Sequence, residues 1–93
     1  MAAVYFSNAA ERDLKRMPRE VQDSLRKNQI PQLISDPRIG KPLHGPLRDC
    51  LSYDFHVEGI SYRIAYEIIK NNVIVLMIGA RENFYKKLSR RIR

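Results

Sequence analysis

Residues 51 to 57 alternate in polarity. Leu51, Tyr53, Phe55 and Val57 fall on one side of an extended chain, and Ser52, Asp54, His56 and, beyond them, Glu58 fall on the other. Successive side chains of a strand point to opposite faces, so the segment reads as a half-buried strand with a polar outer face. Gly59-Ile60-Ser61 connects it to a second run, Tyr62 to Lys70, in which Tyr62, Ile64, Tyr66 and Ile68 share one face. Arg63, Ala65, Glu67 and Ile69 occupy the other face. Asn71-Asn72 turns the chain into Val73 to Ile78, which is apolar on both faces, as in an interior strand covered at least in part on both sides. Three strands joined by short turns make an antiparallel meander, whose apolar face another layer must cover.

The first half of the chain supplies that layer. Val4-Tyr5-Phe6 reads as a short strand. Asn8, with Glu11 three residues later, predicts a capping box opening a helix to about Met17, with Leu14 and Met17 on its apolar side. Pro18 suits the first turn of a second helix, whose stripe is Val21, Leu25, Leu33 and Ile34, interrupted by Asn28 and Gln29. Pro31 lacks an amide proton and crowds the preceding turn, which predicts a kink or break and a last helical piece ending near Asp36-Pro37. Residues 38 to 50, punctuated by Gly40, Pro42, Gly45 and Pro46, read as loop. The expected fold is α+β: an N-terminal strand, a helical hairpin packed on an antiparallel meander, and a short basic C-terminal helix. At 93 residues it is expected to be one domain, 1–93.

Charge is concentrated at one end. Of the formal net +7, the segment from Arg81 to Arg93 supplies +5, from Arg81, Lys86, Lys87, Arg90, Arg91 and Arg93 against Glu82. A local excess of this kind points to an anionic partner: nucleic acid, an acidic protein segment or a membrane surface. The single Cys50 cannot form an internal disulfide, so a reducing cytoplasm is expected. No apolar stretch is long enough to span a bilayer, and Met-Ala-Ala-Val-Tyr-Phe lacks the pattern of a secretory signal. No membrane association is expected.

Arg63, Arg81 and Tyr85 lie on or just past strands and form a candidate grip for a phosphodiester. The arginine fork is planar, always charged and matched to phosphate. Each has a plainer reading. Arg63 can pair with Glu67 or Asp54 across the sheet, Arg81 can be a surface residue, and Tyr85 lies on a stripe with Leu88 and Ile92 that suits packing. His56 can carry a proton near neutrality, and Asp54 or Glu58 on the same face can orient it; the alternative is a solvated row. His44, in a Gly/Pro-rich loop, reads as structural or exposed. The two histidines and the cysteine lack metal-ligand spacing, and no phosphate-cradling glycine loop or nucleophile elbow occurs. No cofactor is expected.

Four local patterns, in order, resemble toxins of the RelE/ParE superfamily from bacterial toxin–antitoxin pairs. They are Leu33-Ile34-Ser35-Asp36-Pro37 at the end of the second helix, Lys41-Pro42-Leu43-His44-Gly45, Ser61-Tyr62-Arg63-Ile64-Ala65-Tyr66-Glu67-Ile68, and Gly79-Ala80-Arg81 leading to Tyr85. The resemblance spans nearly the whole chain. In its RelE branch it implies metal-independent cleavage of messenger RNA in the ribosomal decoding site, by attack of the 2′-hydroxyl on the adjacent phosphorus. It also implies a cognate antitoxin partner and contact with an operator DNA only through the antitoxin complex. Arg63 then matches the phosphate-binding arginine of the middle strand, Arg81 the arginine after the last strand, and Tyr85 the tyrosine of the C-terminal segment. The preceding strand departs from the pattern, because Asp54 and His56 stand where the best-known members place two lysines. The resemblance makes a ribosome-dependent endoribonuclease the first expectation, with Lys86, Lys87, Arg90 and Arg91 contacting RNA. A ParE-like inhibitor of DNA gyrase, acting by binding without hydrolysis, and a non-catalytic nucleic-acid-binding module are the alternatives.

Overall fold

A computed structural model describes residues 2–92, so Met1 and Arg93 of the basic tail lie outside the described residues. The chain runs β1 (Val4–Phe6), α1 (Asn8–Arg16), α2 (Arg19–Ser24), a π-helical turn (Leu25–Gln29), α3 (Ile30–Ser35), β2 (Lys41–Pro42), a 3-10 turn (Gly45–Leu47), β3 (Leu51–Val57), β4 (Ile60–Ile69), β5 (Asn72–Ala80) and α4 (Phe84–Arg91). Among the described residues the sheet has five strands, in the order β1-β5-β4-β3-β2. The meander β3-β4-β5 is antiparallel as expected, while β1 joins β5 in parallel.

The helical layer departs from the sequence reading at two points. The cap of α1 is Ser7, not Asn8: Ser7 is extended, and its hydroxyl accepts the Ala10 amide at 3.1 Å. Three residues after Ser7 stands Ala10 rather than Glu11, so only half of a capping box forms. The second departure is at Pro31, where the helix does not break. Gln29 and Ile30 keep helical dihedrals, and the Ile30 amide reaches back five residues to Leu25 O. The chain takes up the proline by widening into a π turn just before it, a known way of inserting a residue into a helix. Gln29, a polar break in the apolar stripe, is buried along with Leu25 and Leu33, and the Ser24 hydroxyl donates to its Oε1 at 2.9 Å.

Residues 38 to 50 are also more ordered than a loop. Lys41 and Pro42 pair with Ser52 and Leu51 as a two-residue edge strand. Gly40 precedes it against Tyr66, whose hydroxyl accepts the Gly40 amide at 2.9 Å and donates to Pro37 O at 2.7 Å. A Cβ on Gly40 would lie 2.6 Å from that hydroxyl oxygen, so the contact needs glycine. The hairpin turns are Glu58-Gly59 and Lys70-Asn71, one residue earlier than the sequence suggests. Both central residues of each have positive φ, at 50°, 80°, 51° and 69°, as a two-residue type I′ turn requires.

The two faces of the sheet are covered unequally. On one, Ala10, Val21, Leu25 and Leu33 pack against Phe55, Tyr62, Ile64, Tyr66, Val73, Val75 and Ile78. Each such large side chain, fully buried, contributes about 1.5–3 kcal/mol over its exposed state. A bulge in β5 serves this core. Ala65 faces Met77 and Tyr66 faces Val75, leaving Leu76 unpaired, so Val75 and Ile78 both reach the helical layer although three residues apart. On the other face a smaller cluster, Leu47, Ala65, Met77, Phe84 and Leu88, lies under α4. This second layer covers only one end of the sheet and leaves Asp54 and His56 exposed.

Candidate functional site

Strand register brings the sequence candidates together on this partly open face. Asp54 of β3 lies opposite Arg63 of β4, which lies opposite Gly79 of β5. In the next row His56 lies opposite Ser61, whose carbonyl accepts the Arg81 amide at 3.0 Å just past β5. Directly opposed residues of an antiparallel pair share a face, so Asp54, His56, Ser61 and Arg63 all point the same way. Asn83, with φ 57°, then turns the chain into α4, which carries Tyr85 back over the sheet.

Arg63 is the hub. Its Nε donates to Asp54 Oδ1 at 2.9 Å, and its guanidinium carbon lies 4.6 Å from the centroid of the Tyr85 ring. The cation–aromatic contact and the ion pair fix one planar fork on a mid-sheet strand. The Arg63 side chain is 16% exposed and that of Asp54 55%, so the carboxylate stays wet while the arginine is largely enclosed. The plain reading of Arg63 as an ion-pair residue therefore describes only part of its environment. Tyr85 is likewise double: it packs at the margin of the α4 cluster, and its hydroxyl lies 3.3 Å from Ser52 Oγ. His56 and Arg81 are exposed.

The basic tail divides. Lys86, Lys87 and Arg90 are exposed on α4. Arg91, expected with them as an RNA contact, is instead turned to Asp13 of α1: Nη1 meets Oδ2 at 2.6 Å and Nη2 meets Oδ1 at 3.1 Å. Arg91 also donates to Leu76 O, and Asp13 accepts the Ile78 amide, both at 3.1 Å. These are backbone groups of β5 beyond the three residues that β1 covers.

Sequence reasoning missed Lys41, His44 and Ser52. Lys41 pairs with Ser52 on the Asp54 face, and Lys41 and His44 border a groove whose wall includes Tyr85. Strand alternation placed Ser52 on the right face, whereas a two-residue strand has no periodicity by which Lys41 shows itself. Cys50 is buried, and its thiol is pushed up by burial and then by Glu67 and Asp49, so it is neutral and a poor nucleophile. Among the described residues no group of three or more His, Cys, Asp or Glu could hold a metal ion, and no helix is long and apolar enough to cross a membrane.

A five-stranded sheet with a helical layer on one face and an enclosed arginine on the other, partly open, face defines a small α+β architecture. The sequence profile of the ParE-like toxins of type II bacterial toxin–antitoxin systems matches residues 4–89, and the chain belongs to that family. Among solved structures it is similar to a chain of the RelBE2 toxin–antitoxin complex from Mycobacterium tuberculosis, with 29% identity, a TM-score of 0.71, and coverage of 86% of this chain and 91% of that one. It is similar to a free mutant of the E. coli toxin RelE, with 25% identity, a TM-score of 0.76 and full coverage of both chains. With YafQ from E. coli, at 13% identity and a TM-score of 0.54 over 91% of this chain and 99% of that one, it shares the fold. No curated protein sequence matches significantly.

Proposed function

We propose that the protein is a ribosome-dependent messenger RNA endoribonuclease, acting as one toxin domain in the cytoplasm. The observation that carries the reading is Arg63, fixed between Asp54 and the Tyr85 ring on the open sheet face. Similarity at 29% and 25% identity to the toxins of RelE-type systems supports it.

The chemistry follows from the residues. A base removes the proton from the 2′-hydroxyl, the 2′-oxygen bonds to the adjacent phosphorus, and the bond to the 5′-oxygen breaks as that oxygen gains a proton. Arg63 and Arg81 offset the negative charge that builds on the phosphorus. His56 is the first candidate for proton transfer and Asp54 the second, while Tyr85 supports Arg63 and offers a hydroxyl or stacking surface. Lys86, Lys87 and Arg90 face ribosomal RNA. A cognate antitoxin silences the toxin, and operator DNA is met only through that complex. The resident carboxylate beside Arg63, where a lysine is usual, leaves the free site short of positive charge and makes the ribosome part of substrate positioning.

The same carboxylate supports a second reading, a ParE-like gyrase inhibitor that binds without hydrolysis. Adding the purified protein to a translating extract and mapping transcript ends separates the two. Cuts within the ribosomal A site, with free RNA nearly untouched, are expected. Intact transcripts together with blocked gyrase supercoiling would overturn the first reading in favour of the second.

A further inference from the structure

We propose that Asp54 is a resident counter-anion that closes Arg63 to free phosphate, and that Lys41 is a positioning residue that receives the carboxylate when a phosphodiester displaces it. The inference rests on the reading above and adds the regulation of that site. Asp54 Oδ1 accepts the Arg63 Nε–H at 2.9 Å, and the Tyr85 ring lies against the same guanidinium, its centroid 4.6 Å from the guanidinium carbon. A phosphate taken along the Nε edge needs the place that the carboxylate holds. One taken at the far end of the fork sets a second anion beside the first on a single guanidinium, and like charges at that range repel. Either way, the enclosed arginine of the open face is engaged by the chain's own side chain until Asp54 moves.

Asp54 is placed to move. Its side chain is 55% exposed against 16% for Arg63, so it can leave without becoming a buried, unpaired charge. Arg63 keeps the Tyr85 ring against it when the carboxylate goes. The register then offers Asp54 a second cation. Lys41 of β2 stands opposite Ser52 of β3, and Asp54 follows two residues along β3 on the same face. Diagonal neighbours of this kind lie about 7–8 Å apart, within reach of a long side chain. Lys41 is exposed, and the ion pairs among the described residues, Arg26–Asp23, Arg63–Asp54 and Arg91–Asp13, do not include it. One carboxylate is thus flanked on neighbouring strands by an enclosed planar fork suited to phosphate and by an exposed, compact ammonium. Phosphate takes the first and sends Asp54 to the second.

The test is a titration of the purified chain with inorganic phosphate at neutral pH, following the Arg63 Nε–H resonance in the parent, Asp54→Asn, Lys41→Gln and the double variant. Asp54→Asn keeps the shape of the side chain and removes its charge. It is expected to bind phosphate at Arg63 roughly tenfold more tightly than the parent. Lys41→Gln is expected to weaken binding by roughly threefold in the parent and to change nothing in the Asp54→Asn background, because its effect passes through the carboxylate. A merely structural role for Lys41 would not depend on Asp54 in this way. Phosphate binding in Asp54→Asn no tighter than in the parent would overturn the competition. A loss from Lys41→Gln that is equal in both backgrounds, or absent from both, would overturn Lys41 as the receiver. The titration does not depend on cleavage. Tighter binding in Asp54→Asn, with transcripts left intact by the parent, would keep the competition and remove the nuclease reading. Cut transcripts with phosphate binding unchanged in Asp54→Asn would do the reverse.

Discussion

Arg91 and Asp13 are joined by two parallel hydrogen bonds, and each also holds one backbone group of β5 that β1 is too short to reach. The pair takes the place of missing strand, ties α1 to α4 across the sheet edge, and uses a charge that composition alone would give to an RNA partner.

Asp13→Ala should therefore destabilise the fold more than Arg91→Gln does. The Asp13 side chain is 13% exposed, and its loss leaves the Ile78 amide without its acceptor, a cost of about 1–3 kcal/mol. Arg91, at 30% exposure, should cost under about 1 kcal/mol. Urea unfolding of both variants measures the order, and faster hydrogen exchange at Ile78 in Asp13→Ala alone identifies the cause. Equal midpoints would refute the assignment.

Arg63→Ala and Arg81→Ala should fold and lose toxicity. Removing one preorganised donor from a comparable anionic transition state costs about 2.7–4 kcal/mol, or ~100- to 1,000-fold in rate. Growth arrest at equal expression, checked alongside circular dichroism, decides each residue separately. A variant that arrests growth like the parent removes that arginine from the mechanism.

His56→Ala should lower single-turnover cleavage on the ribosome more than it lowers ribosome binding, by ~100- to 10,000-fold if it carries the proton. An unchanged rate, with a large drop in Asp54→Asn, would move the base to Asp54. If neither variant slows the reaction, positioning of the RNA by the ribosome is the main source of rate.

Lys86, Lys87 and Arg90 should contribute to ribosome association, and Arg91 should not. Changing those three to glutamine is expected to weaken binding and flatten its dependence on salt, because each phosphate contact releases counterions. Arg91→Gln should keep the parent's salt slope. The opposite result in sedimentation assays would give the contact to Arg91.

Alkali should lower the stability of the fold in two stages. Burial lifts Cys50 above its ordinary 9.0 and Tyr66 above its ordinary 10.0, the latter partly opposed by the Gly40 amide. A raised folded value means that the native state holds its proton more tightly than the unfolded chain. The stability it brings is whole below the unfolded value and is lost as pH rises through the folded one. The urea midpoint should begin to fall above pH 9, and Cys50→Ala should delay that fall to above pH 10. A parent and variant that fall together would show that Cys50 is not the first group to titrate.

Much of this structure was legible because strand alternation is a strong signal. It placed Asp54, His56 and Arg63 on one face, and local composition marked Arg81 and Tyr85 as following the last strand. What stayed hidden depends on contacts far apart in sequence or on competition between near-equal choices. Ser7 and Asn8 are both good caps, and only the chain's path out of β1 selects Ser7. The π turn before Pro31 forms because burying Leu25, Gln29 and Leu33 outweighs a break. Lys41 joins the site through a strand too short to show a period, and Arg91 meets a carboxylate 78 residues away. The bulge at Leu76 is hidden for a related reason: a strand apolar on both faces shows no slip in its pattern.

The parallel seam between β1 and β5 sets the order in which the molecule can mature. Ala3 and Asn72, joined at one end of that seam, are 69 residues apart, so closing it requires one of the longest loops the chain can make. Tyr85 and Arg91 come later still. A nascent polypeptide tethered to the ribosome that is making it has α1 and the β1 segment but neither β5 nor α4 to receive them. Assembly of the site is thereby deferred until the segments that form β5 and α4 have both been made.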